Sequence, residues 1–189
     1  VRTSVFVGAS VDGFIARRNG AFDFLSGEGG ERDNGYEQFF ATVDALVIGR
    51  NTYDVVLPFP TWPYGTRPVF VLSTRPIGPA PSGSVVERMS GTPAEIFSLL
   101  EARGFQHVYV DGGFTIQAFL RAGLINRLVI TRVPVLIGSG IQLFGPVDAD
   151  IRLEHIATRE LSGGAVQSEY AVATATARTA SRQPVVDPI

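Results

Sequence analysis

Cysteine and lysine are both missing from this 189-residue chain, and methionine and tryptophan occur once each. Without cysteine there is no thiol nucleophile, no disulfide, no iron–sulfur ligation and no cysteine-type zinc site. Without lysine there is no Walker A lysine, no Schiff-base chemistry and no anchor for pyridoxal phosphate, and all 16 basic residues are arginine. The two histidines, His107 and His155, lie far apart in the sequence, so no metal site is expected and both read as structural or exposed. A net charge of -2 and a pI near 5.7 give no electrostatic reason to expect nucleic acid or an anionic membrane as partner. No apolar run is long enough for a membrane span or flanks a signal-peptide cleavage site, so we expect a soluble, cytoplasmic protein. The first residue is Val1 and not Met, which leads us to expect a few residues trimmed from the start or left out. An enzyme this poor in nucleophiles takes its reactive atom from a bound cofactor.

What is present is a hydrophobic fraction of 45%, enough for one buried core. Apolar β-branched runs at 3–9, 45–48, 68–72, 85–87, 107–111 and 127–135 read as strands. They alternate with helical patterns at 35–43, 52–56, 92–104 and 115–122. The third of these opens on a capping box, Thr92-Pro93-Ala94-Glu95, and Gly123 supplies a left-handed cap to the fourth. Two alternating runs, 151–161 and 165–174, joined by Ser162-Gly163-Gly164, predict an antiparallel hairpin. Residues 17–33 are rich in glycine and charge and read as a loop over a site, with Phe22, Phe24 and Leu25 as anchors. We expect one domain over 1–174 and a tail over 175–189 that is disordered or bound to a partner subunit.

Three strand ends carry residues suited to anions. The first is Val110-Asp111-Gly112-Gly113-Phe114-Thr115, where a strand meets a glycine pair and then a helix. Helix starts leave N–H groups unpaired, and glycine lets a diphosphate approach the main chain. The second is Gly49-Arg50-Asn51-Thr52, and the third is Leu72-Ser73-Thr74-Arg75. Any one alone is equally well an ordinary turn or strand exit. All three in one small α/β chain point to a long polyanionic ligand such as a dinucleotide.

With Ala9-Ser10-Val11-Asp12-Gly13-Phe14-Ile15-Ala16 at the start and Leu136-Ile137-Gly138-Ser139-Gly140 and Leu143-Phe144-Gly145 toward the end, the set of motifs resembles the dihydrofolate-reductase-like superfamily over residues 4–172. It is closer to the reductase domain of bacterial riboflavin biosynthesis, the RibD C-terminal domain, than to dihydrofolate reductase proper. The resemblance implies a mostly parallel, twisted sheet with helices on both faces and an antiparallel C-terminal hairpin. It also implies an NADPH-dependent reductase of a pterin, a dihydrofolate-like compound or a ribosylaminopyrimidine, working as a homodimer on a small-molecule substrate. On that reading Gly112 to Thr115 hold the diphosphate and Arg50 and Thr52 contact phosphate, with Gly49, Leu72 and Val110 also in the cofactor site. Ser73, Thr74 and Arg75 receive the adenosine 2′-phosphate, favouring NADPH over NADH. Backbone at Ala9 and Ile15 grips the nicotinamide.

The substrate side is open. Folate-reducing relatives carry an acid on the helix before the Gly-Arg strand, where Asp33 or Glu37 falls, with Asp12 as a third candidate. Glu37 is equally a solvated helix face, Asp33 a cap and Asp12 a turn residue. A ribosylaminopyrimidine also carries a 5′-phosphate, for which Arg17, Arg18 and Arg32 are available in the loop. Trp62 and Phe59 either wall the pocket or pin their loop. Two further readings are carried: an NADPH-binding sensor or scaffold without turnover, and a non-binding dimeric module.

Overall fold

A computed structural model describes residues 1–25 and 34–173. Ten strands and four α-helices follow one another as β1 (Arg2–Ser10), β2 (Phe14–Ala16), α1 (Tyr36–Ala41), β3 (Ala45–Gly49), α2 (Arg50–Val56), β4 (Val69–Leu72), β5 (Val86–Met89), α3 (Pro93–Ala102), β6 (His107–Asp111), α4 (Gly113–Arg121), β7 (Arg127–Val133), β8 (Ile141–Gln142), β9 (Leu153–Glu160) and β10 (Val166–Val172). Eight strands form one sheet in the order β5-β4-β3-β6-β1-β7-β10-β9. Every pairing from β5 across to β7 is parallel, and β10 runs antiparallel to both β7 and β9.

Strand geometry sends successive side chains to opposite faces, and both faces are covered. Val5 and Val7 of β1 join Val108, Val110, Leu128 and Ile130 beneath α3 and α4, which contribute Ile96, Leu100, Ile116 and Phe119. Phe6 between them points the other way, into a second cluster with Leu46, Ile48, Tyr109, Phe39 of α1 and Tyr53 and Val56 of α2. The helices thus sit on both faces of a mostly parallel sheet, as expected.

Local signals explain where several elements begin. The capping box at α3 forms in full: Glu95 N–H donates to Thr92 Oγ1 at 3.3 Å and Thr92 N–H donates to Glu95 Oε2 at 2.7 Å. The helix α4 starts at Gly113, two residues before the expected Thr115, because Gly112 takes a φ of 93° that lets the chain turn straight from strand into helix. The hairpin β9–β10 turns at Ser162–Gly164 as expected, with Gly163 and Gly164 at positive φ. Nothing local announces the two-stranded sheet of β2 with β8, whose members are 125 or more residues apart. His107 is buried: its ring lies 2.8 Å from Ser4 Oγ and 2.9 Å from the Thr42 carbonyl, a structural role.

Candidate functional site

The carboxyl ends of β3 and β6 neighbour each other in the parallel sheet, so the starts of α2 and α4 lie side by side. A cleft of about 660 Å³ opens there, a size usual for small-molecule sites. Its close approaches depend on glycine. A Cβ on Gly112 would collide with Thr52 Oγ1, one on Gly49 would lie 2.8 Å from Thr115 Oγ1, and one on Gly113 would lie 2.8 Å from Ile141 Cγ2. No side chain caps α4, so its first N–H groups remain available to an anion.

Of the residues expected to hold the cofactor, Ile15, Gly49, Arg50, Thr52, Leu72, Gly112, Gly113, Phe114 and Thr115 all line this cleft. Phe114 is 68% exposed at its rim. Ala9 and Val110 are buried in the core instead and do not line the cleft. Ser73, Thr74 and Arg75 form a separate turn beyond the cleft wall, closed by Arg75 N–H donating to Ser73 Oγ at 3.1 Å. Arg50 ties that turn to α2: its Nη1 donates to the Pro76 carbonyl at 2.9 Å and its Nε to Asp54 Oδ2 at 3.2 Å.

The expected acids are placed differently. Glu37 is exposed and is not among the residues lining the cleft, because it falls on the outer side of α1 while Phe39 faces the sheet. Asp12 does not line the cleft either. Its carboxylate accepts from Gly138 N–H at 2.7 Å and Ile137 N–H at 3.3 Å, so it fastens the 137–138 loop. Its pKa is lowered, first by the Ser10 side chain, against desolvation, and further by those backbone donors. Asp33 and Arg32 lie outside the described residues, as does the tail 175–189.

The acid that does line the cleft is Asp111, the last residue of β6, which the motif reading passed over in favour of the glycines beside it. Its Oδ1 accepts from Gly112 N–H at 2.7 Å. Burial raises its pKa to about 6, partly countered by that N–H. Tyr36 and Tyr64 line the cleft with it. Both phenols are pushed up, by burial first and by the Asp111 charge second. The usable signal was an acid at the end of a central parallel strand, since such ends are where α/β sheets bind ligands.

The far end of the cleft is aromatic. The described part of the 17–33 loop folds over β1, placing Leu25 against Gly8, and brings Phe22 to a centroid distance of 6.2 Å from Phe59. Phe59 therefore walls the cleft. Trp62 packs between Tyr53 and Tyr64 and pins its loop, with its Nε1 buried and unpartnered. Arg17 is held by Asp23 through two bonds of 2.7 and 2.9 Å. Among the described residues no cluster of metal-ligating side chains occurs, and no helix is long and apolar enough to cross a membrane.

Comparison with known proteins follows the same lines. A structure from Shewanella sp. PV-4, named for riboflavin biosynthesis, is 38% identical with a TM-score of 0.84, covering 92% of this chain and 99% of that one. The uncharacterised protein YwjB of Bacillus subtilis is 32% identical over 171 residues, 89% of this chain and 97% of its own. Dihydrofolate reductase from Enterococcus faecalis, complexed with NADP(H) and RAB-propyl, shares the fold at 19% identity with a TM-score of 0.64, covering 90% of this chain and 96% of that one. The model of the RibD C-terminal domain family matches residues 3–167, and the chain belongs to that family, with the reductase-like fold it shares with dihydrofolate reductase.

Proposed function

We propose that the protein is an NADPH-dependent reductase of a small heterocyclic substrate. The observation that carries this reading is the uncapped start of α4, brought close to α2 by glycine and opening into a cleft that the Asp111 carboxyl also lines. The residues fit the cofactor. Gly49, Gly112 and Gly113 let the two helix starts approach closely beside the cleft, Thr52 and Thr115 offer hydroxyls there, and Arg50, with Arg75 on the neighbouring 73–76 turn, would be the cations available to a 2′-phosphate.

Bound NADPH supplies the hydride. The protein's part is position and proton supply. The cleft wall of Ile15 and Ala16 sets the face of the ring, and Phe22 and Phe59 keep water from the reacting atoms. When a C=N bond is reduced, the carbon gains the hydride, the nitrogen takes the electron pair, and a proton completes the N–H bond. Asp111 is suited to give that proton, because a carboxyl with a pKa of about 6 is still partly protonated near neutral pH.

The test is calorimetric titration with NADPH and NADH on the native protein and on Arg75→Ala. We expect NADPH to bind at least tenfold tighter than NADH, and the variant to lose that preference. Absence of binding by either nucleotide would overturn the reading. Binding without oxidation by any pterin or pyrimidine would favour a sensor that has lost turnover.

A further inference from the structure

The two ends of the cleft differ in charge. At the α4 end are the free N–H groups and Arg50. The other end is walled by Phe6, Phe22, Leu25, Val55, Phe59 and Tyr64. Among the described residues lining the cleft, Arg50 is the one cation, and its bonds to Asp54 and the Pro76 carbonyl turn it toward the 73–76 turn. The described loop arginines, Arg17 and Arg18, do not supply another. Arg17 is locked to Asp23 with its guanidinium 5.6 Å from the Phe24 centroid, and neither it nor the exposed Arg18 lines the cleft. The acid that lines the cleft is Asp111, at the junction of β6 and α4, and its charge reaches Tyr36 and Tyr64 on the aromatic side.

We infer that the substrate half of the cleft takes a flat, uncharged heterocycle and discriminates against its phosphate ester. A phosphate dianion placed there would lose its hydration among aromatic and aliphatic walls, meet no counter-charge among the described residues and feel the like charge of Asp111. An uncharged ring instead stacks on Phe22 and Phe59 and presents its N–H groups to Asp111. The 5′-phosphate of a ribosylaminopyrimidine, expected from the family resemblance to find loop arginines, finds none facing the cleft among the described residues. The inference rests on reading the α4 end as the dinucleotide end.

The test uses the full chain saturated with NADP⁺, so that binding is read without turnover. A ribosylaminopyrimidine and its 5′-phosphate are titrated by calorimetry, and 6-hydroxymethylpterin and its phosphate likewise. We expect the unphosphorylated member of at least one pair to bind tenfold or more tighter, equivalent to about 1.4 kcal/mol. Equal or tighter binding of the phosphate esters overturns the inference, and so does failure of both heterocycles to bind while NADP⁺ binds normally. Failure of NADP⁺ itself to bind sinks the reductase reading along with it, and the two failures are told apart by that first titration. The variant Phe59→Arg places a cation on the wall and should narrow the ratio at least fivefold. An unchanged ratio in a variant that still binds NADP⁺ also counts against it.

Discussion

Asp111 shows how one residue ties stability to the proposed chemistry. Its folded pKa lies above the ordinary carboxylate value, so the native state holds the proton more tightly than the unfolded chain does. Stability therefore falls as pH rises from about 4 to about 6, and the penalty persists above that window. A shift of this size corresponds to roughly 2–3 kcal/mol. Asp111→Asn keeps an acceptor for the Gly112 N–H and removes the buried charge, so it should melt higher than the native protein at pH 8 and build most of that gain over the native protein between pH 4 and 6. In the same variant, single-turnover NADPH oxidation should slow by at least tenfold and lose its decline above pH 6. A variant that is stabilised but keeps the native pH–rate profile would remove Asp111 from the proton path. Gly112 is the complementary case. Its φ of 93° and the contact a Cβ would make with Thr52 both oppose a side chain. Gly112→Ala should cost about 1–3 kcal/mol and remove measurable NADPH affinity, read by thermal melting and titration.

Among the elements, α3 and α4 separate folding from function. The capping box of α3 is remote from the cleft, so Thr92→Ala should lower stability by about 1 kcal/mol in denaturant titration and leave nucleotide affinity unchanged. Helix α4 serves both purposes. Its Ile116 and Phe119 are fully buried beneath the sheet while Phe114 and Thr115 face the cleft. Phe119→Ala should cost about 3–5 kcal/mol in the same titration. These elements were readable because their signals are local: a Thr-x-x-Glu box, a Gly pair after a β-branched run, a Ser-Gly-Gly turn. The short β2–β8 sheet was not readable, since neither strand carries a period and their pairing depends on the route of the chain between them. The facing of α1 was legible, since Tyr36, Phe39, Phe40 and Val43 fall at helical spacing and all pack into one cluster, which leaves Glu37 on the outer side.

At the scale of the molecule, the strand order leaves β9 at one edge with all eight residues exposed, including Leu153 at 42% and Ile156 at 53%. An uncovered edge of this length invites pairing with another chain. We expect a homodimer built on this edge: sedimentation of the native protein should give twice the chain mass, and Ile156→Lys should shift it toward the monomer. A native protein that sediments as a monomer at micromolar concentration would overturn this expectation.

The sequence by itself determined the α/β alternation, the hairpin, the glycine junctions and the arginine-only, cysteine-free chemistry, because each is written in residues close together along the chain. The tertiary structure decided which acid lies in the cleft, which aromatics wall it and where the cations face. Those outcomes depend on parallel strands separated by dozens of residues coming side by side, and the burial that raises Asp111 exists only once β3 and β6 have paired and α2 and α4 have closed around their ends.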